Sequence, residues 1–266
     1  MKREPDIVVI SDVHLGTYGC HAKELLTYLK SIRPKTLVIN GDFIDIWQFR
    51  KRYFPKEHMQ VIQRILKMAA KGTKVYYITG NHDDTLRRYS DFSTGNIHLR
   101  DKLVLQLKDK RAWVFPGDIF DLSVNKIRKV FGLQPMSLAK EAKQRVKKAV
   151  SFISDFEETA IDLAGQQKYD YVICGHIHQP QMRTTNGHGH PITYLNAGDW
   201  VENLTALEYQ WGQWSIYQYD PADYQIVSNR LIVKESAIPS TDEEDLEFKK
   251  NSSPEALLQN IMGLVS

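Results

Sequence analysis

Cysteine is nearly missing from this chain of 266 residues: Cys20 and Cys174 stand alone, and no CxxC pair occurs. That excludes a disulfide framework and a thiolate zinc site, and it fits a reducing, cytoplasmic setting. Long apolar runs are absent too. Nothing approaches the ~20 residues that span a bilayer, so membrane contact is expected only as peripheral binding on the inner face. The first apolar run, Ile7 to Ile10, is too short for a signal-peptide core, and export is not expected. Nor does one charge dominate: 35 basic residues face 32 acidic ones, a net charge of +3. Nucleic acid is therefore not expected as a partner, and any basic patch must be local. What remains is ordinary for a globular chain, and the length is enough to bury the core of one large domain.

The apolar runs carry a rhythm. Ile7-Val-Val-Ile10 reads as a strand and ends in Ser11-Asp12-Val13-His14, with Asp12 and His14 expected on the same side, as residues two apart are in an extended chain. Leu25, Leu26, Leu29 and Ile32 recur at helical spacing before Pro34. Thr36 to Asn40 is a second strand, running into Gly41-Asp42-Phe43-Ile44-Asp45. A helix follows, with Met59, Ile62, Ile65, Leu66 and Ala69 on one face and Gly72 as its stop. A third strand, Val75 to Thr79, ends in Gly80-Asn81-His82-Asp83. Alternating strands and helices predict a largely parallel sheet, whose ligands gather at the carboxyl ends of the strands.

The second half continues the rhythm. Leu103–Leu107 and Arg111–Phe115 lead to Pro116-Gly117-Asp118-Ile119-Phe120-Asp121. From Ser123 to Val150 eight Lys or Arg face one acid, Glu141, and residues 123–168 read as a basic helical insertion. Tyr171 to Cys174 is a strand ending in Gly175-His176-Ile177-His178, with Cys174 read as a buried small hydrophobe. Ile192 to Asn196 leads to Ala197-Gly198-Asp199-Trp200. The runs at 204–209, 214–219 and 225–233 alternate without helices, predicting antiparallel strands. One domain is expected over 1–235, and an acidic tail over 236–266 with a short helix from Pro254 to Val265.

Gathered at the strand ends, Asp12, His14, Asp42, Asn81, His82, His176 and His178 offer carboxylates, imidazoles and an amide oxygen without sulfur. That mixture suits Mn, Fe, Co or Zn better than Ca. Seven donors are too many for one ion. Two ions about 3.5 to 4 Å apart, sharing one carboxylate, would use them.

Asp-x-His, Gly-Asp-x-x-Asp, Gly-Asn-His-Asp and Gly-His-x-His, in this order over residues 7 to 200, resemble the calcineurin-like binuclear metallophosphoesterases. The resemblance implies an α/β fold: a four-layer α/β/β/α sandwich of two mixed sheets flanked by helices. It implies two divalent metal ions, with manganese favoured. Asp12, His14, Asp42 and His178 would hold the first, and Asp42, Asn81 and His176 the second. A metal-bridging hydroxide would attack phosphorus, His82 would serve the leaving oxygen, Asp83 would orient His82, and Asp45 would support them from behind. Gly175-His-Ile-His-Gln-Pro180, Asn196-Ala-Gly-Asp-Trp-Val-Glu202 and the helical insertion are most similar to the UDP-2,3-diacylglucosamine diphosphatase group of lipid A biosynthesis. That group cleaves the pyrophosphate of an acylated UDP-sugar into UMP and a lipid monophosphate. The cations and aromatics of the insertion and of residues 47–54, among them Trp47, Arg50, Lys126 and Arg128, would then meet substrate or an anionic membrane surface. Arg87 and Arg88 are expected phosphate contacts.

One position departs from the family pattern. Where the family places a His that completes the second metal, this chain has Pro116, whose side chain has no donor atom. The second ion is therefore expected to be weak or missing. Two other readings stay open: a metallophosphoesterase acting on another nucleotide, phosphodiester or phosphoprotein, and a non-catalytic scaffold of the same fold.

Overall fold

The structure, a computed structural model, describes residues 2–45, 53–82, 84–117 and 142–224, with no side-chain detail for 84, 85 and 142–152. The chain divides after Tyr219 into two units, and the fold below is that of the first. The domain boundary near 235, the strand over 225–233, the acidic tail and the first half of the insertion lie outside the described residues, as do Trp47, Arg50, Asp83, Asp118, Asp121, Lys126 and Arg128.

Two sheets form. In the first, β1 (Ile7–Ile10), β2 (Thr36–Asn40), β3 (Lys74–Ile78) and β5 (Ile97–Arg100) run parallel. The antiparallel pair β11 (Thr205–Gln210) and β12 (Gln213–Gln218) extends one edge, and the two-residue β4 (Ser93–Thr94) closes the other. The second sheet has the order β6 (Leu103–Leu107), β7 (Lys110–Val114), β8 (Tyr171–Cys174), β10 (His190–Asn196), β9 (Gln181–Gly187). Here β7, β8 and β10 are parallel and the two edges are antiparallel. Both sheets are mixed, as expected. The β9–β10 hairpin and the β4–β5 pair have no counterpart in the sequence reading, because β9 (Gln-Met-Arg-Thr-Thr-Asn-Gly) is a largely exposed edge strand without an apolar alternation.

The strands carry apolar residues on both faces because both faces are covered. Ile7 and Val9 point into the layer between the sheets, with Val38, Ile78, Val114, Ile173, Leu195 and Leu207. Val8 and Ile10 point the other way, onto α1 (Ala22–Ser31) and α2 (Lys56–Ala70) through Leu25, Leu29, Val61 and Ile65. The second sheet buries its outer face under α3 (Ala142–Gln166), where Phe156, Ala160 and Ile161 meet Phe115, Val172 and Tyr194. Each such side chain contributes about 1.5–3 kcal/mol. The layers are therefore helix, sheet, sheet, helix.

One local expectation shifts. Helix α2 stops at the glycine foreseen, with Gly72 at φ +98 beyond its last turn. Its buried face, however, is His58, Val61, Ile65, Met68 and Ala69, whereas Leu66 is exposed and Met59 and Ile62 are half-buried. The buried stripe includes His58, whose Nδ1 accepts a backbone hydrogen bond that hydrophobicity does not reveal. Cys174 lies fully buried, and burial pushes its thiol up to about 12, as befits an inert core cysteine. Among the described residues no helix is long and apolar enough to cross a membrane.

Candidate metal centre

The carboxyl ends of β1, β2, β3 and β8 meet on one rim. The loops after β1 and β2 are zipped together: Asp12 N–H donates to Gly41 O at 3.4 Å, His14 N–H to Asp42 O at 2.9 Å, and Asp45 N–H to Leu15 O at 2.9 Å. Asp12, His14, Asp42, His176 and His178 all have positive φ, from 45° to 73°. A residue bearing a Cβ adopts that region reluctantly, and its concentration here marks a site held under constraint. It also corrects the extended-chain expectation for Asp12 and His14. They converge because both are wound left-handed and packed against the neighbouring loop, not through strand alternation.

Two glycines let the turns approach each other. A Cβ on Gly80 would strike Asp42 Oδ1, and one on Gly175 would strike Asp12 Oδ2. The backbone amides that follow them satisfy the carboxylates from behind. His82 N–H donates to Asp42 Oδ1 at 2.9 Å, and His176 N–H donates to Asp12 Oδ2 at 2.9 Å.

Among the described residues two groups of donor atoms result, the atoms of each lying within 4.8 Å of one another: Asp12, His14 and His178, and His14, Asp45 and His82. His178 Nε2 lies 3.4 Å from Asp12 Oδ1. The His14 ring stands edge-on to His82, with centroids 4.8 Å apart, and 5.7 Å from His178. Asp45 Oδ2 lies 3.2 Å from His82 Nδ1, without the alignment of a hydrogen bond. The side-chain amide of Asn81 places one atom 3.0 and 3.2 Å from the two Asp42 oxygens. As nitrogen that atom would donate to Asp42; as oxygen it would converge with Asp42 on a shared cation.

The charges support a cation. Asp12, Asp42 and Asp45 are buried, and among the described residues no Lys or Arg pairs with Asp12 or Asp42. Burial, together with the charge of Asp12, raises the Asp42 carboxyl above its ordinary value. Burial and the neighbouring His82 and His178 lower His14, so its imidazole stays neutral and available to a metal. Burial works against charge on His178 as well, but contact with Asp12 outweighs it and raises the net value. Clustered carboxylates, with no Lys or Arg on Asp12 or Asp42 among the described residues, beside imidazole nitrogens fit divalent metal ions of the Mn, Fe, Co or Zn type.

The other expected residues fall variously. Pro116 is buried behind Gly41, where a Cβ on that glycine would come within 2.8 Å of the proline Cβ. It is the position at which the family resemblance predicts a His. Arg87 and Arg88 lie on the 3-10 turn Asp84–Tyr89; Arg87 Nη2 donates to Thr79 O at 3.2 Å, and the Arg88 guanidinium is 5.9 Å from the Tyr89 ring. Sequence reasoning missed His58, whose Nδ1 accepts the Gly16 N–H at 2.8 Å just past His14. It also missed the use of Asp199, which gathers the N–H groups of Val201, Glu202 and Asn203. Burial opposes that charge, but the donors outweigh it and hold the Asp199 carboxyl below its usual range. An Asp followed by three residues and an Asn, in a loop between strands, is the signal that could have found it.

The family model described as calcineurin-like phosphoesterase matches residues 5–180. The chain belongs to the calcineurin-like phosphoesterase family. Curated relatives include UDP-2,3-diacylglucosamine hydrolase of Aeromonas salmonicida (strain A449), 27% identical over 223 residues that cover 74% of this chain and 87% of that protein. The enzyme of the same name from Aliivibrio fischeri (strain MJ11) is 24% identical over 227 residues, covering 76% and 94%. Among solved structures, a dimetal phosphatase from Danio rerio is matched with a TM-score of 0.45 at 11% identity, over 81% of this chain and 100% of that one. As a calcineurin-like phosphoesterase with relatives named as hydrolases, the chain is a metal-dependent hydrolase.

Proposed function

We propose that this hydrolase cleaves the pyrophosphate bond of an acylated UDP-sugar of the UDP-2,3-diacylglucosamine type, releasing UMP and a lipid monophosphate. The observation that carries the reading is the reach of its relatives. Similarity to proteins named UDP-2,3-diacylglucosamine hydrolase extends over about three quarters of the chain, beyond the segment that the general family model matches.

In this reading Asp12, His14, Asp42 and His178 hold one metal ion, and Asp42, Asn81 and His176 hold a second, with manganese as the favoured metal. Bound ions supply Lewis acidity, polarising phosphoryl oxygens and acidifying water. The chain's own residues do the rest. His82, partly exposed at the rim, gives a proton to the leaving oxygen as the P–O bond breaks. Asp45 orients that ring through Nδ1, a contact that tightens once phosphate occupies the site. Asp83 is proposed to assist it, and Arg87 and Arg88 to neutralise the phosphates. Trp47, Arg50, Lys126 and Arg128 are proposed to meet the substrate or an anionic membrane surface.

The test is direct. Purified protein supplied with Mn2+ should release UMP from UDP-2,3-diacylglucosamine. Turnover of a simple phosphodiester without UMP release would move the reading to another phosphoester. Turnover of neither substrate, with recovery in Pro116→His, would identify a second metal site disabled by the proline.

A further inference from the structure

The loop between β10 and β11, residues 197–204, gives no donor to either group of metal-type ligands, yet it grips the backbone behind them. Trp200 N–H donates to the carbonyl of Asp12 at 3.2 Å. Ser11 Oγ donates to Gly198 O at 2.7 Å. Immediately before the loop, Asn196 Nδ2 donates to Gly175 O at 3.2 Å, while its Oδ1 accepts the Gly198 N–H at 2.9 Å. At the far end Asn203 Nδ2 donates to the carbonyl of His178 at 2.7 Å. That same amide is 2.5 Å from Asp199 Oδ2, so the carboxylate fixes the amide and the amide fixes His178.

His178 sits at φ +50. Its carbonyl direction follows from the backbone angles, so a donor locked onto that oxygen fixes the peptide plane from which the imidazole departs. Asn203 is the only side chain among the described residues with a hydrogen bond to that carbonyl. Asp199 would keep its backbone donors if Asn203 were shortened, since Val201, Glu202 and residue 203 itself supply main-chain N–H groups. The loop can thus survive the loss of the tether that His178 cannot.

We infer that Asn203 is a positioning residue: through the His178 carbonyl it holds the His178 ring against Asp12 and so sets the affinity of the metal site to which both belong. The inference rests on the reading of His178 as a metal ligand, and a control variant separates the two.

The measurement is Mn2+ binding by calorimetry to protein stripped with EDTA, with melting curves taken with and without Mn2+. Asn203→Ala should weaken one Mn2+ site by about 10- to 100-fold, the usual effect of losing a group that orients a ligand. It should also shrink the rise in Tm that Mn2+ produces, because that rise reports affinity. A merely structural role would lower the stripped and loaded Tm together and leave the rise intact, which overturns the proposal. His178→Ala is the control. Unchanged Mn2+ affinity in that variant would remove the ligand reading itself, whereas weakening in His178→Ala but not in Asn203→Ala would remove the positioning role alone. If Asn203→Ala does not fold, Asn203→Ser, with a hydroxyl too short to span the gap, is judged by the same criteria. Failure of both to fold would make Asn203 a folding residue and end the proposal.

Discussion

Oδ2 of Asp45, a buried carboxylate, faces Nδ1 of His82 across 3.2 Å, at the meeting of the loops that follow β2 and β3. The pair leaves the other ring nitrogen of His82 for the substrate side. His82→Ala is expected to lower kcat by about 10²–10⁴-fold, the range of a lost general acid. Asp45→Asn keeps the shape and removes the charge, and a loss of about 10- to 100-fold is expected with KM little changed. Steady-state kinetics on both variants would check this, and wild-type kcat in His82→Ala would remove His82 from the chemistry.

Gly80→Ala would drive a methyl group into Asp42 Oδ1. The methyl group would also come within 2.6 Å of the Asp42 backbone nitrogen, so the loop must shift and carry the proposed ligand with it: a loss of about 10²-fold in kcat/KM, as for misplacement of a reacting group by about 1 Å, is expected together with a lowered Tm. Circular dichroism should show an intact fold. A variant with wild-type activity would mean that Asp42 has room to retreat.

His58 gives a pH dependence with a definite sign. Burial lowers its pKa below the ordinary 6.5, and its Nδ1 must stay unprotonated to accept the Gly16 N–H. The unfolded chain therefore takes up the proton more readily. The stabilising contribution is complete above about 6.5 and is lost as pH falls through the lower folded value. His14, also lowered chiefly by burial, acts in the same direction. The Tm of EDTA-treated protein should fall as pH drops below 6.5, and His58→Asn, whose Oδ1 can replace Nδ1 as acceptor, should flatten the slope by scanning calorimetry.

Pro116 predicts a metal titration with two unequal steps. Elemental analysis after dialysis against limiting Mn2+ should give a content nearer one ion per chain than two. Pro116→His should tighten the weaker step by on the order of tenfold. A wild-type titration with two equally tight sites would show that other groups replace the missing imidazole.

Much of this arrangement was legible in the sequence because it repeats. An apolar run closed by a ligand-type side chain, with a glycine between them after β2, β3 and β8 and a serine after β1, locates these four strands, and the same rhythm names Asp12, Asp42, Asn81, His176 and His178. What could not be read depends on contacts between distant segments. His58 looks like any polar residue on α2 until Gly16 is placed 42 positions away in sequence, at the end of its imidazole. Asn203 looks like a loop residue until β10 and β11 bring it under His178. The convergence of Asp12 and His14 was expected for the wrong reason, since periodicity describes extended chain and both residues lie outside it.

Five ligand-type residues already wound into the left-handed region have one more consequence. The ordering that a zinc finger performs when its ion arrives has here been done by the two sheets and their turns. Under the proposed ligand assignment an incoming ion would meet residues already turned, so its binding energy would go into residence time rather than into folding, and exchanging one metal for another would leave the architecture standing.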